Sequence, residues 1–184
     1  MIRFFDMIFS FIGLLFLSPI LMILLLIGFF DTGSPLFRQK RVGINQKPFN
    51  LLKLRSMQVN TLGVATHLVQ VSAITKWGLC LRKSKLDELP QLFNVLMGDM
   101  SFVGPRPNLF NQTDLIEERS KRGVYALRPG ITGLAQINKI DMSTPKLLAE
   151  VDARMISQLN IFYYFKYIIL TVFGRGFGDR VRKL

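Results

Sequence analysis

The sequence has almost none of the residues from which disulfides and soft-metal sites are built, since it contains one cysteine and one histidine. Because Cys80 has no second cysteine to pair with, no disulfide forms within the chain, which fits a reducing compartment. A zinc site made of histidines and cysteines is excluded for the same reason. No nucleophile-elbow sequence accompanies His67, so we interpret it as a loop or surface residue. Any metal is therefore expected to be a hard cation held by carboxylate and phosphate oxygens.

Acidic residues are also scarce: the 184-residue chain has 12 Asp and Glu against 24 Lys and Arg, a formal charge of +12. This length suits one domain of ordinary size. So basic a chain commonly binds either nucleic acid or anionic lipid and phosphorylated substrates. It has no recognised nucleic-acid motif, and a long apolar segment favours the second class. The sequence therefore predicts anionic membrane lipid as a partner and no nucleic acid.

Charge is absent from Met7 to Phe30, a run long enough to span a bilayer as one straight helix. Pro19 lies at its centre behind Ser18, and an interior proline removes a backbone hydrogen bond and crowds the preceding turn. Each half then measures about 18 Å, too short for a hydrocarbon core of about 30 Å. Two interpretations remain open: a kinked spanning helix, which membrane statistics alone favour, and a helix-break-helix that enters and leaves on one face.

The charges that flank this segment indicate its orientation. Arg38, Lys40 and Arg41 follow it closely, so the positive-inside rule predicts that residues 31–184 are cytoplasmic. Arg3 precedes it, and positive charge on both sides argues that both ends are cytoplasmic. A signal peptide is disfavoured because the apolar run is too long and no small-residue cleavage site follows.

The rest of the chain predicts a small α+β domain that is mostly helical. Gly98 is a plausible helix stop, and Asn111 or Thr113 is a plausible helix start. The expected elements, in chain order, are a β-hairpin at 36–55, helix and loop at 56–78, a helix at 89–98, a proline-punctuated loop at 101–108, a polar helix at 111–127 and a loop at 128–133.

The C-terminal stretch 159–173 is amphipathic at helical spacing. It is short for a membrane span, and Lys166 would be costly in lipid. A helix that lies in the membrane interface, with its tyrosines at headgroup level, fits better; a core helix of the domain is the alternative. The predicted apolar face consists of Ile161, Phe162, Phe165, Ile168, Ile169, Val172 and Phe173. The basic residues behind it favour membrane contact: Arg175, Arg180, Arg182 and Lys183.

Two neighbouring carboxylates, Asp87 and Glu88, stand out in so basic a chain. Adjacent residues on a helix point about 100° apart, so the two are not a face-to-face acid pair. Asp87 is predicted to be the N-cap of the helix at 89–98, with Pro90 in its first turn. The same geometry suits catalysis, because a helix start favours an ionised aspartate, which can attack phosphorus. The adjacent carboxylate can then hold Mg²⁺ on the same phosphate.

Four cationic side chains lie in stiff loops or at the end of the predicted hairpin. Arg106 lies between two prolines, Arg128 precedes a Pro-Gly pair, and Lys53 and Arg55 lie where the chain leaves the hairpin. Because proline limits backbone freedom, a guanidinium held there is preorganised for bidentate contact with phosphate. Each one alone is better interpreted as a solvated surface cation. Together, around a carboxylate pair and behind a membrane segment, they favour phosphate binding.

These residues belong to segments that resemble a known family. “KLDELPQLFNVLMGDMSFVGPRP”, at 85–107, closely resembles the core signature of the bacterial sugar transferases, the monotopic phosphoglycosyl transferases. The broken apolar run with Ser18-Pro19 is similar to the family's re-entrant anchor. The resemblance implies an anchor over residues 1–30 and a cytoplasmic catalytic domain over 31–184 that ends in an interfacial helix. Further similar segments, in the family's order, are “FRQKRVG” (37–43), “KLRSM” (53–57) and “RPGITGLAQIN” (128–138).

The resemblance also implies a reaction, the first membrane step of bacterial glycoconjugate synthesis. A UDP-sugar donates its sugar 1-phosphate to undecaprenyl phosphate at the cytoplasmic face of the inner membrane, and UMP leaves. Asp87 matches the nucleophile that forms a covalent intermediate, and Glu88 matches the carboxylate that supports Mg²⁺. Phosphate or nucleotide contacts are implied for Lys53, Arg55, Arg106, Arg128 and Asp152.

Two alternatives remain beside this reaction. A membrane-anchored glycosyltransferase would leave the phosphate behind and release UDP, so the nucleotide product distinguishes it. A non-catalytic membrane scaffold is the other, and the intact pair Asp87-Glu88 argues against it.

Overall fold

The computed structural model describes residues 1–59 and 73–175. The predictions that involve His67, Arg180, Arg182 and Lys183 fall outside these residues. The described chain is mostly helical with two small sheets, so the predicted α+β class is confirmed. The helices are α1 (Ile2–Thr32), α2 (Lys76–Ser84), α3 (Gln91–Met97), α4 (Thr113–Lys121), α5 (Leu134–Ile137), α6 (Pro145–Gln158) and α7 (Ile161–Leu170). The strands are β1 (Leu36–Val42), β2 (Pro48–Leu54), β3 (Ser101–Val103) and β4 (Gly130–Thr132).

Helix α1 runs without interruption through Ser18 and Pro19, so one continuous helix replaces the predicted helix-break-helix. The proline fits because its φ suits a helix and it removes a single backbone donor, while the Ser18 hydroxyl donates to the Leu15 carbonyl at 2.9 Å. Among the described helices, α1 alone has the length and apolar composition to cross a membrane. Its re-entrant path is a separate matter of topology and stays a prediction.

The N-terminal end of α1 is fastened to the domain by polar contacts. The Arg3 guanidinium donates to the carbonyls of Val95 and Leu96, at 2.5 and 2.8 Å, at the end of α3. Asp6 is 2% exposed and accepts hydrogen bonds from three donors. They are the Ser101 hydroxyl at 3.0 Å, the Phe102 amide at 3.0 Å and the Tyr164 hydroxyl at 2.9 Å. Sequence reasoning missed Asp6 because the charge-free run begins one residue later.

The C-terminal part of α1 packs on the same domain through apolar side chains. Leu21 and Leu24 share a buried cluster with Leu54 of β2 and Leu81 of α2. The Thr75 hydroxyl also donates to the last-turn aspartate of α1 at 2.7 Å. Both ends of α1 therefore contact one domain.

Strands β1 and β2 form the predicted antiparallel hairpin, paired from Leu36↔Leu54 to Val42↔Pro48. Side chains alternate between the two faces of such a hairpin. Arg41, which pairs with Phe49, therefore shares a face with Lys53. Leu54 lies on the opposite face and packs against α1.

The stretches predicted as loops at 101–108 and 128–133 contain a short parallel strand pair. Ser101 pairs with Gly130 and Val103 with Thr132. Two strands of three residues are too short to show a periodic pattern in sequence, and their pairing depends on tertiary contact. An added Cβ at Gly104 would lie 2.3 Å from the Arg128 carbonyl, so the close approach requires glycine. This pairing holds the following Pro-Arg-Pro segment beside β4.

Helix α7 is amphipathic as predicted, but two of its tyrosines face the core of the domain. Tyr164 and Tyr167 are 0% and 3% exposed and pack with Val103 and Met155, so they are not at headgroup level. Burial is tolerated because the Tyr164 hydroxyl reaches an acceptor, and burial together with the nearby carboxylate raises the pKa of Tyr164. Five residues of the predicted apolar face are exposed: Ile161, Phe162, Ile169, Val172 and Phe173.

Candidate active site

The two carboxylates lie in a 3₁₀ turn, Leu86–Glu88, between α2 and α3. Lys85 ends α2 in the left-handed region, with φ 60°, and its carbonyl accepts from the Glu88 amide at 3.2 Å. Helix α3 begins at Gln91 with Pro90 at its N-cap, so the prediction that Asp87 caps this helix is wrong. The physical reason is that backbone i→i+3 bonds already close the turn. Asp87 is therefore placed by the turn and not by helix capping.

The two carboxylates have different surroundings. Glu88 Oε1 lies 3.1 Å from Lys53 Nζ and 3.4 Å from Arg106 Nη2. These three side chains are largely shielded from water, which strengthens the attraction relative to surface ion pairs. Asp87 is 6% exposed. The structure thus brings Lys53, Glu88 and Arg106 together, with Asp87 beside Glu88 in the chain.

Three cations, one from each of three segments, line a narrow cleft beside Glu88. Arg41 comes from β1, Lys53 from the same face of β2, and Arg106 from the segment that follows β3. Arg41 entered the sequence analysis only as a charge that flanks the apolar segment, but it is 8% exposed and donates to the backbone of the Arg106 segment at 3.2 Å. Buried Gln91 of α3 also lines the cleft. This concentration of positive charge suits a diphosphate.

Two predicted substrate-binding residues are engaged elsewhere. Arg55 donates to the Ser34 carbonyl at 2.7 Å and stacks over the Phe37 ring at 5.5 Å, near the end of α1. Arg128 donates to the Gly98 carbonyl at 2.8 Å, at the end of α3. Neither is among the described residues that line the cleft. Both contacts tie segments of the domain together.

Asp152 is fully buried and pairs with Arg119, which sequence reasoning missed. Arg119 donates from Nε and Nη2 to Asp152 Oδ2, at 3.0 and 2.7 Å. Its Nη1 donates to the Arg106 carbonyl and to Asn108 Oδ1, both at 2.9 Å. Burial raises the pKa of Asp152, while the neighbouring guanidinium acts in the opposite direction. Asp152 is thus connected to the cleft indirectly, through hydrogen bonds from Arg119 to Asp152 and to the Arg106 carbonyl.

The carboxylates near the cleft suit only one kind of hard-cation site, in which the substrate supplies further ligands. Across residues 1–59 and 73–175, no three Asp, Glu, His or Cys side chains cluster closely enough to enclose a metal. Mg²⁺ does not require such a cage, since it commonly takes one or two carboxylates and completes its shell with substrate phosphates and water. Asp87 and Glu88 fit that kind of site. A metal bound by protein groups alone does not fit.

Comparison with known proteins agrees with the resemblance. The family model described as bacterial sugar transferase matches residues 1–176. The sugar transferase EpsL of Bacillus subtilis is 37% identical over 171 residues, which is 92% of this chain and 84% of EpsL. The exopolysaccharide production protein PSS of Rhizobium leguminosarum is 37% identical over 193 residues, covering 99% of this chain and 94% of PSS.

A further relative is named for its reaction. The UDP-glucose:undecaprenyl-phosphate glucose-1-phosphate transferase of Klebsiella pneumoniae is 41% identical over 187 residues, which is 95% of this chain but 40% of that protein. The chain therefore spans well under half of this relative and most of EpsL and PSS. The match over nearly the whole chain confirms the expected enzyme family. The chain belongs to the bacterial sugar transferases.

Proposed function

We propose that the protein is a phosphoglycosyl transferase that moves a sugar 1-phosphate from a UDP-sugar to a polyprenol phosphate, with release of UMP. The relatives named as UDP-glucose:undecaprenyl-phosphate glucose-1-phosphate transferases support this reaction class. They also make UDP-glucose the first donor to test and undecaprenyl phosphate the first acceptor. The observation that carries the proposal is Glu88 in a cleft lined by three cations, with Asp87 next to it in the same 3₁₀ turn.

In the first step, Asp87 acts as the nucleophile. One of its carboxylate oxygens attacks the β-phosphorus of the UDP-sugar, and the bond from that phosphorus to the oxygen bridging to the α-phosphate breaks. The bridging oxygen leaves with UMP, and an acyl sugar phosphate stays on Asp87. Glu88 is the poorer nucleophile because two cations hold its Oε1. Arg41, Lys53 and Arg106 offset the charge of the diphosphate during the attack.

In the second step, the acceptor phosphate takes the sugar phosphate. An oxygen of the polyprenol phosphate attacks the phosphorus of the acyl phosphate, forming the new P–O–P bond. The bond from phosphorus to the Asp87 oxygen breaks, and the carboxylate is regenerated. Splitting the reaction lets water-soluble UMP leave before the lipid-borne acceptor enters, so one site serves both substrates in turn.

The reaction also calls for a hard divalent cation. When bound, Mg²⁺ neutralises diphosphate charge that would otherwise repel a carboxylate nucleophile. Glu88, with Asp87 beside it, is the residue placed to hold the cation together with phosphate oxygens. Lys53 and Arg106 keep the Glu88 carboxylate in position for this role.

The contacts at the two ends of α1 support a proposal for its membrane topology. A 31-residue helix is about 46 Å long, and a spanning helix would carry its ends to opposite sides of about 30 Å of hydrocarbon. Arg3 and Asp31 nevertheless contact the same polar domain. A polar domain cannot extend across the hydrocarbon core, so this arrangement supports an α1 whose two ends lie at the same face of the membrane.

The exposed apolar side chains indicate how the domain meets the membrane. Many side chains of α1 are exposed and apolar, and five such residues lie at 161–173, in α7 and the turn that follows it. A peripheral helix of this composition lies in the interface. Together with the charge of +12, this supports a domain held at anionic lipid. We place it on the cytoplasmic face of the bacterial inner membrane.

The test is a product and adduct analysis of purified enzyme in detergent. Enzyme mixed with UDP-glucose and Mg²⁺, without acceptor, should release UMP stoichiometrically and gain the mass of one sugar phosphate on Asp87. Asp87→Asn should form no adduct, whereas Asp114→Asn, an exposed carboxylate on α4, should behave as wild type. Release of UDP, normal turnover by Asp87→Asn, or an adduct located on Glu88 would each contradict the proposed mechanism.

A further inference from the structure

A second cavity, of about 250 Å³, adjoins the candidate active site. It lies between the turn that carries the Asp87-Glu88 pair, which we call the dyad, with α3 on one side, and β4 with α7 on the other. Glu88 and Ile131 line both this cavity and the cationic cleft, so the two spaces meet at Glu88 of the dyad. Nothing in the proposed chemistry on the UDP-sugar uses this second space.

The cavity differs from the cleft in its lining, which is largely apolar. The apolar lining residues are Leu89, Leu92, Phe102, Ile131, Ile168 and Val172. Two polar members, Thr132 and Thr171, satisfy each other: the Thr171 hydroxyl donates to the Tyr167 carbonyl at 2.8 Å, so Thr132 donates to Thr171 at 2.5 Å. A third, Gln136, donates to the Gly104 carbonyl at 3.4 Å and leaves its Oε1 as a single acceptor. One acceptor replaces few of the hydrogen bonds to water that a hydroxyl-rich sugar would lose here. The lining therefore favours a hydrocarbon occupant.

We propose that this cavity, which we call the prenyl pocket, holds the first isoprene units of the acceptor, next to the acceptor phosphate. The proposal rests on the proposed function and names where the lipid substrate sits. At the dyad end, Lys85 and Glu88 line the pocket. The Lys85 ammonium suits the acceptor phosphate, which would then face the sugar phosphate carried by Asp87.

The size of the pocket matches a short piece of chain. A cavity of about 150 Å³ holds one benzene, six carbons. At that packing, the 250 Å³ of the prenyl pocket holds about ten carbons, or about two isoprene units. The remainder of a long prenyl chain has to leave the pocket.

The exit of the pocket is continuous with the exposed apolar surface of α7. Val172 lines the pocket and is 77% exposed, while its neighbours Ile169 and Phe173 are 52% and 81% exposed. At its other wall, Leu92 lies under Gly13 of α1, where an added Cβ would be 3.2 Å away. A chain leaving the pocket thus passes between α7 and the apolar helix α1. It can enter lipid without crossing polar surface.

The test separates the two half-reactions. Enzyme is first loaded from UDP-glucose, and UMP release is measured; discharge of the adduct is then followed with geranyl phosphate, which has two isoprene units, and with methyl phosphate. Val172→Trp places a bulky ring at the mouth of the pocket. The matched control is Ile169→Trp, an exposed apolar residue three positions earlier, in α7, that is not among the residues lining the pocket.

We expect both variants to release UMP at the wild-type rate. Val172→Trp should raise the KM for geranyl phosphate about tenfold, the effect of losing apolar contact with about two carbons, and should leave discharge by methyl phosphate unchanged. Ile169→Trp should change neither. Equal effects of the two variants on geranyl phosphate, or no advantage of geranyl over methyl phosphate in the wild type, would overturn the prenyl pocket.

A second measurement covers the case in which Val172→Trp folds poorly. A photoreactive prenyl phosphate should crosslink wild-type enzyme at peptides that carry Leu92 or Val172, and geranyl phosphate should prevent this. Crosslinks confined to α1, or equal competition by an excess of phosphatidylglycerol, would mean that the pocket is not an acceptor site. If wild-type enzyme releases no UMP from any UDP-sugar, the proposed function fails and the prenyl pocket fails with it.

Discussion

Replacing Arg119 by methionine should destabilise the domain and, by a separate route, slow the reaction. Arg119 is 1% exposed and Asp152 is 0% exposed, so the substitution leaves a buried carboxylate without its cationic partner. Breaking a buried pair in this way costs about 3 to 5 kcal/mol. For a chain of this length, that loss lowers the Tm by about 6 to 20 °C. Thermal unfolding in detergent at pH 7 measures it.

The stability lost in Arg119→Met should become smaller as the pH falls. Burial already raises the pKa of Asp152, and removing the opposing guanidinium raises it further. A carboxyl whose folded pKa lies above the unfolded value stabilises the fold below the unfolded value, and this contribution is lost as pH rises through the folded pKa. The deficit of Arg119→Met should therefore shrink between pH 7 and pH 5, and an equal deficit at both would contradict the argument.

A double variant separates stability from positioning. Arg119→Met with Asp152→Leu removes both charges, and replacing a buried pair by apolar residues is often neutral. We expect the Tm to recover while kcat stays low, because the Arg106 carbonyl has still lost the donor at 2.9 Å. The control is Lys121→Met, an exposed residue of α4 whose ion pairs are screened by solvent and should contribute little to stability. Full recovery of kcat in the double variant would refute the positioning role.

Three further predictions concern the anchor and the dyad. Asp6→Leu should lower the free energy of unfolding by about 3 kcal/mol, since three donors lose their buried acceptor, and chemical denaturation measures this. Glu88→Gln should keep the fold but lose most turnover. Full activity of metal-stripped wild-type enzyme in excess EDTA would contradict a requirement for a divalent cation. In a Cys80→Ala background, an impermeant thiol reagent added to intact cells should label neither Phe4→Cys nor Lys40→Cys. Labelling of Phe4→Cys from outside would contradict a re-entrant α1.

Much of the fold could be predicted because its signals are local. The β-hairpin at 36–55 follows from alternating residues around a turn, and the observed strands pair there. The stop of α3 at Gly98 follows from a residue that adopts φ 96° without a Cβ penalty. The carboxylate pair and the resemblance to the family were both evident in one continuous block of sequence. The match to the family model confirms the family.

The site itself depended on contacts between distant segments. Sequence reasoning used Arg41 only as a flanking charge and had no reason to select Arg119, because nothing in the local pattern marks a cation for burial. Arg55 and Arg128 had the expected chemistry but bind backbone carbonyls away from the cleft. Which cation reaches the dyad is decided by strand register and by the short parallel pair, and neither leaves a periodic signal.

The sequence by itself determined an apolar helix, a basic domain, a hairpin and a carboxylate pair, because each depends on residues within one or two turns or strands. Tertiary structure alone decided that Asp6 fastens both α7 and β3 to the N-terminal end of α1. It also decided that Tyr164 faces the core rather than lipid. The physical reason is that a buried polar group needs a partner, and a partner 158 residues away in the chain can be found only after the chain has folded.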